Sequence, residues 1–394
     1  MKLLWVSHFL PYPSTGHGAL QRTHHLVRQL SSAFEVELFA LSNGDGGERD
    51  LLDMGVRRAT VVPFPGTLRK VAALAASTAT GAGYWNHLFA NRALHAALAR
   101  AVTPESVVLL DTVFLAPYLR HAKGATLVLN HHNVESALLA QRAEGESGVR
   151  RAFFARQAAI TRAMEQQFAQ RARVNLVVSS EDAARLAEVA PRATTCVVPN
   201  GVDVDFFQSR PAASITPHSL VYAGGMNWFP NREAIQWLAT EIWPRLVAAE
   251  PRRTLTIIGK SPPPEAVALA ERDRRVTVTG FVPDVRPYIE RASAYICPIR
   301  IGGGTRLKVL DALAMRRPLV ATGLSVDGLG MTPDTHYLLA NEPDQFVRAL
   351  ARLDADEAVG ARLADAGRQL VEAEFSWQRI GRDLIAALPR WIDA

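Results

Sequence analysis

Two doubly wound α/β domains in tandem are the fold the sequence predicts, and three observations predict them. Short apolar β-type runs alternate with longer Ala/Leu-rich helical runs along the chain. The β-type runs are continuously apolar, as expected of parallel strands covered on both faces by helices. The alternation breaks at 199–217, where PNGVDVDFFQSRPAASITP holds turn residues, three prolines and no period; it reads as an interdomain linker. At 394 residues the chain is too long for one small core, so two domains are the default.

The first sheet is expected from Leu3–Val6, Val36–Phe39, Thr60–Val62, Val107–Leu110, Leu127–Leu129, Asn175–Val178 and Thr195–Val198. The second draws on Leu220–Tyr222, Leu255–Ile258, Val276–Val278, Ala294–Cys297, Leu319–Ala321 and Tyr337–Leu339. Among the helices, Leu26, Val27 and Leu30 give a core face to the one after Gly18. Asp284 is expected to cap a helix through Tyr288. Val149 to Arg173 forms a long basic helix with Phe153, Phe154 and Phe168. It reads as a packed surface helix before a membrane-surface or acceptor-guiding one, and the basic, Ala-rich Leu68–Tyr84 raises the same choice.

Nearly half the residues are hydrophobic, and the composition is that of a soluble protein with two real cores. Cys196 and Cys297 lie in apolar runs and read as small buried hydrophobes, neither a disulfide framework nor a metal site. No apolar run reaches the roughly 18 residues of a membrane span. The opening MKLLWVSHFLPYP is cut short by Pro11 and reads as a buried strand, not a leader. A cytoplasmic protein is therefore expected. Residues 1–199 hold 21 Lys and Arg against 15 Asp and Glu, a surplus equal to the whole chain's +6. That basic half is either a solvated arginine-rich surface or a contact for an anionic partner, such as the inner face of a membrane. Nucleic acid is not expected, since no recognition motif accompanies the charge.

The most informative stretch is RIGGGTRLKVLDALAMRRPLVAT, Arg300 to Thr322. A Gly-rich loop entering a helix offers free N–H groups and the positive dipole end to an anion, and glycine lets the ligand approach. Arg306 and Lys308 add full charges there. Asp311, six residues after Thr305, can accept from sugar hydroxyls. Together they point to a nucleotide diphosphate carrying a sugar. Gly16 and Gly18 form a second strand-to-helix turn, in isolation either a ligand loop or a plain helix start; it lacks the dinucleotide fingerprint. His17, His24 and His25 read as surface or loop histidines. NHHNVES, Asn130 to Ser136, follows a strand at the edge where α/β sites form, which gives weight to His132. Asn200 and Gly201 suit a left-handed or hairpin-like turn. Gly224 and Gly225 end a strand before a helix, and TGFVPD, Thr279 to Asp284, repeats the pattern.

In this order the pieces resemble the family-4 glycosyltransferases of the GT-B fold. The matching elements are the Gly16/Gly18 loop, HNVE at 132–135, PNGVD at 199–203, the glycines at 224–225, GFVPD at 280–284, GGGTRLKVLDALA at 302–314 and SWQRI at 376–380. The GGGTRLK loop is similar to that of one subgroup. The resemblance implies two Rossmann-like domains facing a cleft: an acceptor-side domain at 1–198, a nucleotide-sugar domain at 199–375, and a closing helix at 376–394 packing back on the first. It implies a donor such as a UDP-sugar, with GDP close behind, a carbohydrate, lipid-linked or small-molecule acceptor, retention at the anomeric carbon, and no metal or resident cofactor.

Carried over residue by residue, Gly303, Gly304 and Thr305 would lie near the donor sugar and phosphates. Arg306 and Lys308 would neutralise the diphosphate, and Asp311 would hold the ribose. Val282 would contact the base through its backbone, and Gly225 would let the ligand approach. His132 would sit beside the transferred sugar, with Gly16 and Gly18 closing over the phosphates. The chain also departs from the pattern. The family often has two glutamates separated by seven residues; here they are Gly303 and Asp311. Its usual Arg…Lys pair appears as Met226 and Asn231. Arg306 and Lys308 are read as the substitutes, because cleaving a sugar–diphosphate bond needs positive charge on the leaving group. The expected activity is a retaining sugar transfer in polysaccharide or glycoconjugate synthesis. A catalytically silent nucleotide-sugar-binding partner and a GT-B-type epimerase are the alternatives.

Overall fold

The computed structural model describes residues 1–12, 18–42, 44, 47–122, 124–209, 214–302 and 305–393. Gly16, His17, Gly303 and Gly304 lie outside them. The chain divides into two units, Met1–Pro199 with Ile380–Ala394, and Asn200–Arg379.

The first unit is a seven-stranded sheet of β1 (Lys2–Ser7), β2 (Glu35–Ser42), β3 (Arg58–Pro63), β4 (Ser106–Leu110), β5 (Thr126–Asn130), β6 (Val174–Val177) and β7 (Thr195–Val197). Their order is β3-β2-β1-β4-β5-β6-β7 and the pairs are parallel. Winding reverses between β1 and β4, so the C-terminal ends of these two strands open a crevice where ligands of such sheets bind. In β1, Leu4 and Val6 join the core cluster with Val108 and Leu110, while Leu3 and Trp5 are buried on the opposite face. A parallel strand buried on both sides needs that unbroken apolar run. Each such side chain contributes about 1.5–3 kcal/mol by leaving water.

The second unit is a six-stranded parallel sheet of β8 (Thr216–Ala223), β9 (Thr254–Ile258), β10 (Val276–Gly280), β11 (Ala292–Cys297), β12 (Leu319–Ala321) and β13 (Leu338–Leu339). The order is β10-β9-β8-β11-β12-β13, reversing between β8 and β11. Alternate residues feed two clusters: Leu220, Tyr222, Ile257 and Ile296 on one face, Val221, Ala223, Tyr295 and Cys297 on the other.

Several expectations need correction. Residues 200–207 are not a free linker. Val202 is buried and pairs with Ser376, Val204 and Phe207 pack on the core, and the Arg368 guanidinium donates to the carbonyls of Val204 and Phe207. Satisfied carbonyls and apolar side chains hold the segment to the second unit. Neither Asn200 nor Gly201 takes a positive φ. His24 and His25 are buried on the helix Gly18–Ser31, where His24 Nδ1 lies 2.9 Å from the Pro11 carbonyl and the two rings meet edge to face. The helix expected after Asp284 is Arg286–Arg291, which contains Tyr288 and runs past it; Val285 is its N-cap, and Asp284, one residue earlier, accepts from the Arg286 amide and guanidinium. Cys196 is only half-buried, whereas Cys297 is buried.

Candidate functional site

In the second unit the site forms where β8 and β11 diverge. Beyond β8 come Gly224 and Gly225; beyond β11 the chain runs through Arg300 and Gly302 to the helix Leu307–Ala314. Gly302 has φ +103°, and a Cβ there would meet Pro230 Cγ at 2.9 Å. Glycine is thus required by both backbone and space. Arg306, just before the helix, donates to the Gly302 carbonyl at 3.0 Å. Thr305 is buried and accepts from Asn200 Nδ2 at 2.7 Å. That bond ties PNGVD to the Gly-rich loop within one unit.

Lys308 points its ammonium back across the sheet edge. It donates to Tyr222 Oη at 2.8 Å and to Asn231 Oδ1, and it lies over the Tyr222 ring at 4.6 Å. Asn231 is oriented by its own Nδ2, which donates to the Gly225 carbonyl at 2.8 Å. Burial pulls the Lys308 pKa down to about 8, and burial pushes that of Asp311 up to about 8 although Lys308 opposes it. The half-buried Asp311 side chain has no hydrogen-bond partner among the described residues. Val282, half-buried two residues after Gly280, packs on the core near the end of β10. Tyr295 Oη bonds both the N–H and the carbonyl of Ala223, fixing the backbone ahead of Gly224. The result at this sheet edge is an ammonium and a guanidinium on one turn, with a carboxylate a further turn along.

In the first unit a buried polar network fills the crevice between β1 and β4. Asp111, directly after β4 and fully buried, accepts from Ser7 Oγ at 3.0 Å, Thr23 Oγ1 at 2.6 Å and Asn130 Nδ2 at 2.7 Å. Arg22, also fully buried, donates to Asn130 Oδ1 and to the carbonyls of Val198 and Pro199. Burial pulls its pKa down to about 10, with Asp111 opposing. His132, two residues beyond β5, places Nε2 3.1 Å from Asp111 Oδ1, off the ideal hydrogen-bond line. Burial raises the Asp111 pKa, but His132 and Thr23 outweigh it and hold the carboxyl below its ordinary value. The adjoining His131 bonds Asn175, and burial pulls its pKa down to about 4. Gly18 is exposed at the start of its helix. Among the described residues no cluster of His, Cys, Asp and Glu could hold a metal ion.

Thr305, Arg306, Lys308, Asp311 and Gly225 therefore gather at one sheet edge, and His132 sits at the corresponding edge of the other unit. Sequence reasoning gave no role to Asp111, Arg22 and Tyr222, and named Asn130 only as the start of NHHNVES. Asp111 was within reach: it is an acid directly after an apolar strand, at the same edge that drew attention to His132.

Comparisons with known proteins follow this geometry. The family described as glycosyltransferase family 4 matches residues 16–206, and that described as glycosyl transferases group 1 matches residues 217–356. No curated protein sequence matches. Among solved structures, sucrose-phosphate synthase from Thermosynechococcus elongatus is similar with a TM-score of 0.74 at 18% identity, covering 99% of this chain and 98% of that one. HepE of Anabaena, in complex with UDP and glucose, aligns with a TM-score of 0.72 at 14% identity, covering 99% and 100%. TarM of S. aureus, in complex with fondaparinux, α-GlcNAc-glycerol and UDP, aligns at 0.69 and 10% identity over 100% of both chains. At these identities the likeness is one of fold.

Proposed function

The chain belongs to the family-4-like glycosyltransferases of the GT-B fold, and from that premise we infer that it moves a sugar, with retention at the anomeric carbon, from a UDP-sugar in preference to a GDP-sugar onto a hydroxyl. The observation that carries this reading is the Lys308 ammonium held between Tyr222 and Asn231 beside the Gly-rich loop. A cation that burial has pulled down to about 8 gains most when a diphosphate arrives beside it. Structural neighbours in complex with UDP and UDP-glucose support a nucleotide-sugar donor, and one holding fondaparinux supports a carbohydrate acceptor.

In the proposed reaction the acceptor oxygen bonds to the anomeric carbon as the bond from that carbon to the phosphate oxygen breaks. The acceptor proton passes to the departing diphosphate. Arg306, Lys308 and the loop amides of Gly303, Gly304 and Thr305 stabilise the charge that develops there. Asp311 accepts from the ribose hydroxyls, the Val282 backbone meets the base, and Gly225 admits the ligand. His132 faces the transferred sugar, with Gly16 and Gly18 near the phosphates. Residues 1–198 serve the acceptor, 199–375 the donor. No metal enters the scheme, because two side-chain cations take its role.

The acceptor is a carbohydrate, a lipid-linked sugar or a small molecule, in polysaccharide or glycoconjugate synthesis. We place the protein in the cytoplasm, at the inner face of an anionic membrane. The helix Thr67–Thr80 motivates this. It buries Ala73 and Ser77 and turns Leu68, Val71 and Leu74 outward, 88%, 63% and 46% exposed, with Lys70 and Arg69 flanking them. Arg156 and Gln157 of the neighbouring helix fix it through Ser77. Among the described residues no helix is long and apolar enough to cross a membrane.

The test is thermal shift against nucleotide diphosphates and nucleotide sugars, then turnover with the ligand that binds. A selective rise with one donor, followed by transfer, supports the reading. Release of an altered donor sugar without acceptor would mean an epimerase. Binding with no turnover on any acceptor would mean a silent partner, as the departures at Gly303, Met226 and Asn231 would then explain.

A further inference from the structure

The network around Asp111 settles where its protons are. Arg22 holds the oxygen of Asn130, so the Asn130 amide must turn its N–H to Asp111 Oδ1. Ser7 Oγ accepts from the Phe9 amide, which leaves its hydrogen for Asp111 Oδ2, where Thr23 also donates. Every neighbour thus gives a hydrogen to Asp111, which is an acceptor on both oxygens and so a carboxylate. His132 Nε2 stands 3.1 Å from one of those oxygens. Nε2 lies off the hydrogen-bond line to that oxygen, yet at 3.1 Å the carboxylate's charge attracts an N–H and repels a bare lone pair, so Nε2 carries the ring's hydrogen. In the neutral ring Nδ1 is then unprotonated. Nδ1 is buried and, like Nε2, meets no hydrogen-bond partner in line among the described residues. A buried acceptor without a donor is costly to leave and is filled by a ligand.

We propose that Asp111 is a positioning residue that holds His132 as its Nε2–H tautomer, so that Nδ1 is offered as a bare acceptor to a hydroxyl of the bound sugar. This rests on the reading of His132 as a sugar contact. The network selects for a hydroxyl, since a group without a hydrogen to give meets a lone pair. The device is built at strand ends: Ser7 from β1, Asp111 directly after β4, Asn130 from β5, with Thr23 and Arg22 from the helix that follows β1.

The test is nitrogen NMR of the full chain labelled at histidine, with His132 assigned by its loss in His132→Asn. The neutral ring should show Nε2 protonated and Nδ1 bare, and the Nδ1 resonance should move when the donor sugar that gives a thermal shift is added. Asp111→Asn keeps the space and, with its amide hydrogens turned to the Ser7 and Thr23 hydroxyls, leaves an uncharged oxygen facing Nε2, which removes the charge that holds the tautomer. It should mix the two tautomers and raise KM for the donor with a smaller effect on kcat. In His132→Asn the side-chain oxygen takes the place of Nδ1; in His132→Gln the polar end takes that of Nε2. The first should keep about tenfold more activity than the second, one hydrogen bond's worth. A ring with its hydrogen on Nδ1, or ring shifts and donor kinetics that Asp111→Asn leaves unchanged, overturns the proposal even if His132 variants are inactive. Full activity in both His132 variants instead overturns the sugar-contact reading, and the proposal's sugar-hydroxyl role with it.

Discussion

The Lys308 ammonium donates to the side-chain oxygen of Asn231. Asn231 occupies the position where the resemblance expects the lysine of an Arg…Lys pair. Its amide is turned by the Gly225 carbonyl so that the oxygen faces Lys308. A cation therefore does stand beside residue 231, supplied from the helix Leu307–Ala314 instead of the helix Phe229–Trp237. Swapping the element that carries a charge conserves the local field as long as the ammonium ends in the same place, and here Tyr222 and Asn231 fix that place. This bears on the silent-partner alternative, which rested on missing charge.

Replacing Lys308 with Met or Arg306 with Ala should each lower kcat by about 10²–10³, the scale of losing one stabilising donor on a developing charge. The melting temperature should change little in Lys308→Met, since removing a half-buried charge offsets the hydrogen bonds lost by Tyr222 and Asn231. Sugar transfer measured at saturating donor gives the comparison. Rates within threefold of the parent for both variants would refute the leaving-group role.

Gly224 and Gly259 should respond differently to alanine. At Gly224 a Cβ would come within 2.5 Å of Lys308 Nζ and 3.1 Å of Asn231 Nδ2. The first contact is the far end of a flexible side chain, so the lysine moves and the fold survives. Gly224→Ala should lose about tenfold or more in kcat/KM, with stability changed by under about 1 kcal/mol. At Gly259, with φ +150°, a Cβ would sit 2.0 Å from the Gly224 carbonyl oxygen. Backbone cannot yield so cheaply, and Gly259→Ala should cost about 1–3 kcal/mol in denaturant unfolding. Equal loss of stability in both would show that Gly224 serves packing and not the site.

How far the sequence could be read follows from which forces are local. All thirteen strand positions were legible, because a strand buried on two faces must be apolar throughout. Their edges were less so: Lys2, Glu35 and Arg58 pair in the sheet through their backbones, where charged side chains are as acceptable as apolar ones. His24 and His25 were misread because the helix Gly18–Ser31 also buries Arg22 and Thr23, and a polar core face carries no hydrophobic period. The Asp111 network joins residues 104, 88 and 19 positions apart. No spacing rule links partners so distant. Arg306, Lys308 and Asp311 could be singled out together because one short segment holds them all.

Leu68, Val71 and Leu74 offer a test of the membrane proposal that leaves the site alone. The triple change to Ser removes side chains 88%, 63% and 46% exposed, which contribute little to the fold. It should leave the melting temperature within about 2 °C. Vesicles with anionic lipid should float the parent but not the variant, and the parent should detach as salt rises. A parent that stays behind with anionic vesicles would remove the membrane from the account.

Glu135 gives the first unit a dependence on pH whose sign can be worked out. It opens the helix Glu135–Glu144, hydrogen bonded to Asn133 and close to Glu165, which accepts from the Ser136 amide and hydroxyl. Burial, then Glu165, pushes the Glu135 pKa up from 4.5 to about 8. The folded chain thus keeps a proton that the unfolded chain releases. Stability from this group is complete below 4.5 and is lost as pH rises through about 8. Glu135→Gln cannot ionise and escapes that loss. The variant should match the parent near pH 4.5 and become the more stable by roughly 1–3 kcal/mol at pH 8, a figure discounted for partial exposure. Unfolding in urea across that range measures it. A difference that does not grow with pH would mean that Glu135 is ionised in the folded state beside Glu165, with Arg162 the cation that offsets the pair.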